Sequence, residues 1–225
     1  MKYQSFTFNP VQENTYLLWD ETTLEAAIVD PGTWNRQEEQ LLEGSIAAHG
    51  LKLKYALQTH AHFDHTYGLP FIYRTYGVRP IFHVDDEETY RQMPKMAAQF
   101  GLIIGGPMPP IERLLNDGAQ LSLGATTIRL IHTPGHTTGS ASFYIPDAGL
   151  VFSGDTLFLQ SIGRTDLPGG NLKDEINSIK NKLFTLPDDT VVLPGHGPPP
   201  PSALKSGTTT TSNQSEQIPS STTPP

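Results

Sequence analysis

Eight histidines and no cysteine stand in this chain of 225 residues. Three of the histidines fall within six positions: His60, His62 and His65, with Asp64 between the last two. His136 follows Pro134-Gly135, His196 follows Pro194-Gly195, and Asp155 follows Gly154. Imidazole and carboxylate without thiolate form a donor set for zinc, iron or manganese. Five histidines and two aspartates exceed the needs of one tetrahedral ion. Their number suits two ions that share a bridging carboxylate. Such a pair lowers the pKa of a shared water toward neutrality and polarises a carbonyl oxygen. Glycines beside His136, Asp155 and His196 let the backbone turn sharply and leave space for metal and substrate. An isolated histidine near a strand end is ordinarily a surface or core residue, so His49, His83 and His132 receive no role. The missing cysteines also exclude disulfides, thiolate ligands and a cysteine nucleophile.

These side chains must be brought together by the elements around them. Residues 3–8 alternate, 15–19 are apolar and β-prone, and 26–29 form an apolar run closed by Asp30-Pro31-Gly32. All three read as strands. Residues 36–49 have helical composition, with Leu41, Leu42 and Ile46 on one side and Gly50 at the end. Residues 51–58 read as a strand that delivers the chain to the His60 block. Residues 85–100 read as a helix broken or kinked near Pro94, and the Gly- and Pro-rich stretch 101–110 reads as a loop. The second half repeats this grammar. Strands are expected at 120–123, 127–131, 140–145, 150–152 and 191–193, and a helix at 172–183. His136, Asp155 and His196 each lie where a strand runs out into a loop. The pattern fits two packed sheets with helices outside.

Composition narrows the setting. Net charge is -8, which argues against nucleic acid or anionic lipid as a partner. No run approaches a membrane span. The N-terminal residues lack an apolar block with a cleavage site, so a cytoplasmic location is expected. From Pro198 onward, 20 of 28 residues are Pro, Ser, Thr or Gly, and the only charges are Lys205 and Glu216. Such a segment buries too little apolar surface to offset its ordering entropy. The expected organisation is a folded unit over 1–197 and a disordered, low-complexity tail over 198–225.

The block His60-Ala61-His62-Phe63-Asp64-His65, followed by His136, Asp155 and His196, resembles the metallo-β-lactamase fold superfamily. The resemblance covers residues 1–197. It implies an α+β fold, a four-layer αββα sandwich with the metal site along one sheet edge. It implies that His60, His62 and His136 hold a first metal, and that Asp64, His65 and His196 hold a second. Asp155 bridges the two, and Asp30 either supports the ligand shell or serves as a turn residue before Pro31. The implied cofactors are two divalent transition metal ions, zinc before iron or manganese.

Within that superfamily the chain looks like the short, single-domain glyoxalase II group. The likeness rests on Asn14-Thr15-Tyr16-Leu17 and on the run from Ser161-Ile162-Gly163-Arg164 through Thr165-Asp166-Leu167-Pro168-Gly169-Gly170. It departs from the group after Gly197. The implied activity is hydrolysis of S-D-lactoylglutathione, or a similar acyl-thiol, by attack of a metal-bridging hydroxide, with Asp64 and Asp155 as the catalytic carboxylates. A thiol of pKa near 8.5 leaves without a strong general acid. Arg164 and Asp166 are read either as orienting the loop or substrate, or as a buried ion pair. The alternative activity is that of a persulfide dioxygenase of the same superfamily, which uses one iron held by two histidines and a carboxylate. The complete second set, Asp64, His65 and His196, leans toward hydrolysis.

Overall fold

The computed structural model describes residues 1–99 and 101–198. In its first half, strands β1 (Lys2–Phe8), β2 (Glu13–Trp19), β3 (Glu25–Val29), β4 (Lys52–Leu57), β5 (Pro80–His83) and β6 (Arg113–Leu115) form one sheet in that order. Helices α1 (Arg36–Ala48), α2 (Phe63–Thr66), α3 (Leu69–Tyr76) and α4 (Glu87–Gln99) connect its parallel part. In the second half lie β7 (Gln120–Leu123), β8 (Thr126–His132), β9 (Ala141–Ile145), β10 (Leu150–Gly154), α5 (Leu172–Asn181) and β13 (Val191–Pro194). These strands form a sheet of order β13-β10-β9-β8-β7. A ribbon of β11 (Leu157–Phe158) and β12 (Ser161–Ile162) follows β10.

Strand periodicity dictates the layering. Successive side chains on a strand point to opposite faces, yet β2 and β3 are apolar on both faces. Leu18, Ala27 and Val29 face Leu123, Leu130, Phe143 and Phe152 of the other sheet, forming the central core. Their neighbours Leu17, Ala26 and Ile28 pack outward with Leu42 and Ile46 of α1, Phe71 and Ile72 of α3, and Tyr90 of α4. On the far side, Val151 and Val192 meet Ile179 of α5 and Leu183. A strand buried on both faces reads as a continuous apolar run, and that is why 26–29 and 150–152 stood out. The outcome is the expected αββα order. Among the described residues no helix is long and apolar enough to cross a membrane.

Several elements escaped the sequence reading. The two-turn helix α3, the four-residue β5 and the three-residue β6 are too short to show a period. Pro70 in the first turn and Gly77, left-handed with its N–H on the Tyr73 carbonyl, were the punctuation marks for α3. Of the break or kink expected at Pro94, the break is corrected: after a 3-10 turn at Val84–Asp86, α4 runs through Pro94 from Glu87 to Gln99. Phe100 and residues 199–225, which hold nearly all of the expected tail, lie outside the described residues.

Candidate metal centre

All seven side chains sit at one edge of the sandwich: Asp64 and His65 on α2, the others on the segments that leave β4, β8, β10 and β13. The end of β4 is anchored by Asp30, which follows β3. Asp30 is buried and holds a positive φ of 49°, a strained conformation for a non-glycine residue. Its Oδ1 accepts the Thr59 N–H at 2.7 Å, and its Oδ2 accepts the Thr59 hydroxyl at 2.6 Å. The same Oδ2 lies 3.1 Å from His65 Nδ1, where a carboxylate can only accept. Thr59 Oγ1, having given its proton to Asp30, accepts from His60 Nδ1 at 3.1 Å. Asp30 thereby fixes the tautomers of two imidazoles and leaves the Nε2 lone pairs of both facing the site. His136 is fixed in the same way, since its Nδ1 donates to the Arg164 carbonyl at 2.7 Å.

The free nitrogens converge. His136 Nε2 lies 2.8 Å from His62 Nδ1, and with His60 these three buried side chains hold donor atoms within 4.8 Å of one another. Asp64, His65 and His196 form a second such group. His196 Nε2 is 3.2 Å from Asp64 Oδ2 and 3.3 Å from His65 Nε2. Asp155 stands between the two groups. Its Oδ2 is 3.5 Å from His136 Nε2 and 3.6 Å from His196 Nε2, and its Oδ1 is 3.4 Å from His65 Nε2. Donors about 2.1 Å from a tetrahedral ion stand roughly 3.4 Å apart, so both groups could hold one. A third grouping, Asp30, His60 and His65, is as tight. Both Asp30 oxygens are already engaged by Thr59 and His65, which makes Asp30 a support rather than a donor.

Two further observations fit metal. His60 Nε2 and Asp155 Oδ1 are buried without any hydrogen-bond partner, an arrangement that costs free energy unless something else takes those lone pairs. The electrostatics agree. Burial drives His60 well below the usual imidazole range and His62 down to about 4, so both are neutral donors. Burial alone would raise Asp155, but His65, His136 and His196 hold it well below the carboxylate range. His65 goes the other way: Asp155 and Asp64 outweigh burial and raise it well above. Protons stand where cations would, and binding would release them.

Residues outside the predicted set complete the frame. His196 is held by β2, where Asn14 N–H donates to the Gly195 carbonyl and Asn14 Nδ2 to those of Pro194 and Gly197. The Tyr16 hydroxyl also reaches the Pro194 carbonyl, at 2.7 Å. Asp86 accepts the Ala61 N–H at 2.6 Å, between His60 and His62. Buried polar residues inside an apolar strand were the available signal for Asn14. Arg164 and Asp166 do form a bidentate pair at 2.8 Å, but it is exposed, which corrects the buried-pair reading. Only the Arg164 carbonyl touches the centre, through His136.

Gly195 gives a local test. A Cβ there would sit 2.3 Å from Asp155 Oδ1 and 2.7 Å from His65 Cε1. Gly195→Ala should weaken metal retention and turnover by at least about tenfold, the scale seen when metal ligands lose their support. Metal content after dialysis against a weak chelator measures this.

The fold and the paired donor groups define a class, the metal-dependent hydrolases built on an αββα sandwich. A model of the metallo-beta-lactamase superfamily matches residues 8–196, and the chain belongs to that superfamily. The probable metallo-hydrolase YqgX of Bacillus subtilis is 36% identical over 200 residues, spanning 88% of this chain and 91% of the relative. The hydroxyacylglutathione hydrolase GloC of Haemophilus influenzae is 35% identical, over 83% of this chain and 86% of its own. Among solved structures, TTHA1623 in a di-iron-bound form superposes with a TM-score of 0.76 at 38% identity, covering 87% of this chain and 93% of that one.

Proposed function

We propose that this chain is a dinuclear metal-dependent thioester hydrolase of the glyoxalase II type, acting on S-D-lactoylglutathione or a similar acyl-thiol. The observation that carries the reading is the placement of Asp155 within 3.6 Å of imidazoles from both donor groups. In this reading His60, His62 and His136 would hold one ion and Asp64, His65 and His196 the other, with Asp155 placed between the two groups. The catalytic domain is the unit 1–197. Bound divalent ions would supply hydroxide at neutral pH and Lewis acidity toward a carbonyl. The chain's own residues do the rest. Asp64 and Asp155 bring negative charge that offsets the cations. Asp30, Thr59 and the Arg164 carbonyl keep the ligand rings oriented. No buried general acid is needed, because a thiolate is a competent leaving group. The similarity to GloC, named for hydroxyacylglutathione hydrolysis, supports the substrate class. Zinc is the first choice of metal, and the di-iron form of TTHA1623 makes iron its rival.

The test is a paired assay on the purified holoprotein. With S-D-lactoylglutathione, free thiol should appear in step with loss of thioester, and glutathione persulfide should cause no oxygen uptake. Oxygen uptake on the persulfide with a single iron per chain, and no thiol release from the thioester, would overturn the hydrolase in favour of the dioxygenase.

A further inference from the structure

A second donor cluster lies outside the seven residues just described. His83 ends β5 and His132 ends β8, so the pair spans the two sheets at the edge that carries the metal centre. Their rings stack with centroids 3.7 Å apart and planes 10° from parallel. Asp85 Oδ2 stands 3.7 Å from His83 Nδ1 and 3.8 Å from His132 Nε2. One donor from each of the three lies within 4.8 Å of the others. His83 is 3% exposed, whereas Asp85 is exposed. Asp85 also lines a cavity of about 470 Å³ with Thr138, Asn171 and Asp174. The cluster therefore has a buried donor and an exposed carboxylate that lines a cavity.

We propose that His83, Asp85 and His132 form a further binding site for a borderline divalent transition metal ion, separate from the dinuclear centre. Two imidazoles and a carboxylate are a donor set for zinc, nickel or copper. Spacings of 3.7 and 3.8 Å approach the roughly 3.4 Å edge of a tetrahedral shell. The cavity meets the cluster at Asp85 and gives an ion a path to that carboxylate. Charges of both signs surround the cluster: Asp117 accepts the His132 backbone N–H and Asp174 lines the cavity, while the Lys182 ammonium pairs with Asp117 and donates to the His132 carbonyl. Burial and the neighbouring His132 push the His83 pKa down to about 4, so its ring is a neutral ligand at pH 7.

Binding has a cost that sets its rank. His83 Nδ1 now accepts the Asp85 N–H at 3.3 Å, and His132 Nε2 donates to the Thr138 carbonyl at 2.9 Å. An ion must displace both contacts, move the His132 proton to Nδ1 and tilt the stacked rings apart. This site is accordingly weaker than the buried pair. When filled, it ties β5 of one sheet to β8 of the other.

The experiment uses the zinc-loaded, gel-filtered full chain, titrated with further Zn2+ by calorimetry and by equilibrium dialysis with elemental counting. The wild type should take one additional equivalent and show a raised Tm. Both effects should be lost, with affinity at least tenfold weaker, in His132→Ala and in Asp85→Asn. His49→Ala, which alters an exposed histidine elsewhere, should bind like the wild type. All three variants should keep the tightly held metals and the basal activity. Absence of an additional equivalent would overturn the site, as would one that survives both variants or disappears in His49→Ala. Asp85→Asn, a surface change, carries the test if His132→Ala does not fold. The readout is the difference between wild type and variant, so it is independent of how many metals the main centre holds.

Discussion

Asp155→Ala should lower turnover by at least about 10³-fold, equivalent to roughly 4 kcal/mol of transition-state stabilisation, and release metal from both positions. The size of the effect follows from where the carboxylate stands. Its two oxygens lie 3.4–3.6 Å from His65, His136 and His196, so it is the anionic centre of a mostly imidazole site. Asp155 is held ionised by those same rings, and its Oδ1 is buried with no hydrogen-bond partner. Removing it takes from the buried His65 one of the three carboxylates that face it, beside Asp30 and Asp64, and weakened charge pairing in a buried site is unfavourable. Asp155→Asn should show nearly the same loss, since it keeps the shape and removes the charge. Kinetics on the thioester and elemental analysis of the same preparation check this. Retained activity with a full metal complement would remove the bridging role.

Asp30→Ala should cost the protein about 3–5 kcal/mol of stability and lower metal affinity at least tenfold. One carboxylate here satisfies three buried donors, the Thr59 N–H, the Thr59 hydroxyl and His65 Nδ1. Orphaning a buried donor costs about 1–3 kcal/mol, and the strained backbone at φ 49° loses the contacts that hold it. Thr59 would be free to rotate, and the His60 tautomer would no longer be set. The metal effect should exceed that of a surface change of equal stability cost. Chemical denaturation with and without added zinc separates the two contributions. Equal destabilisation in both conditions would mean that Asp30 supports the fold alone.

Much of this centre was legible in the sequence because metal chemistry constrains residue type so tightly. Four donors in six residues at 60–65 have little structural purpose, and His136, Asp155 and His196 repeat one context, a strand running out beside a glycine. Long apolar runs also exposed the buried strands, and hence the two sheets. What stayed hidden depends on partners distant in the chain. Asn14 and Tyr16 hold the His196 loop across about 180 positions, and nothing in their local sequence names that loop. Asp86 reaches Ala61 from the far end of a strand too short to be seen. His83 and His132 each look like lone histidines, and only the pairing of the sheets' edges stacks them. Arg164 and Asp166 showed the opposite error: a charged pair next to the site suggested burial, while the loop presents it to solvent.

Anomalous X-ray scattering from crystals of the metal-loaded protein, collected at the absorption edge of the resident metal, is the most direct measurement. Two strong peaks are expected at this sheet edge, one enclosed by His60, His62 and His136 and one by Asp64, His65 and His196. A carboxylate oxygen of Asp155 should lie within bonding distance of each. A single peak there, or two peaks with Asp155 bound to neither, would contradict the paired centre and the hydrolytic function built on it.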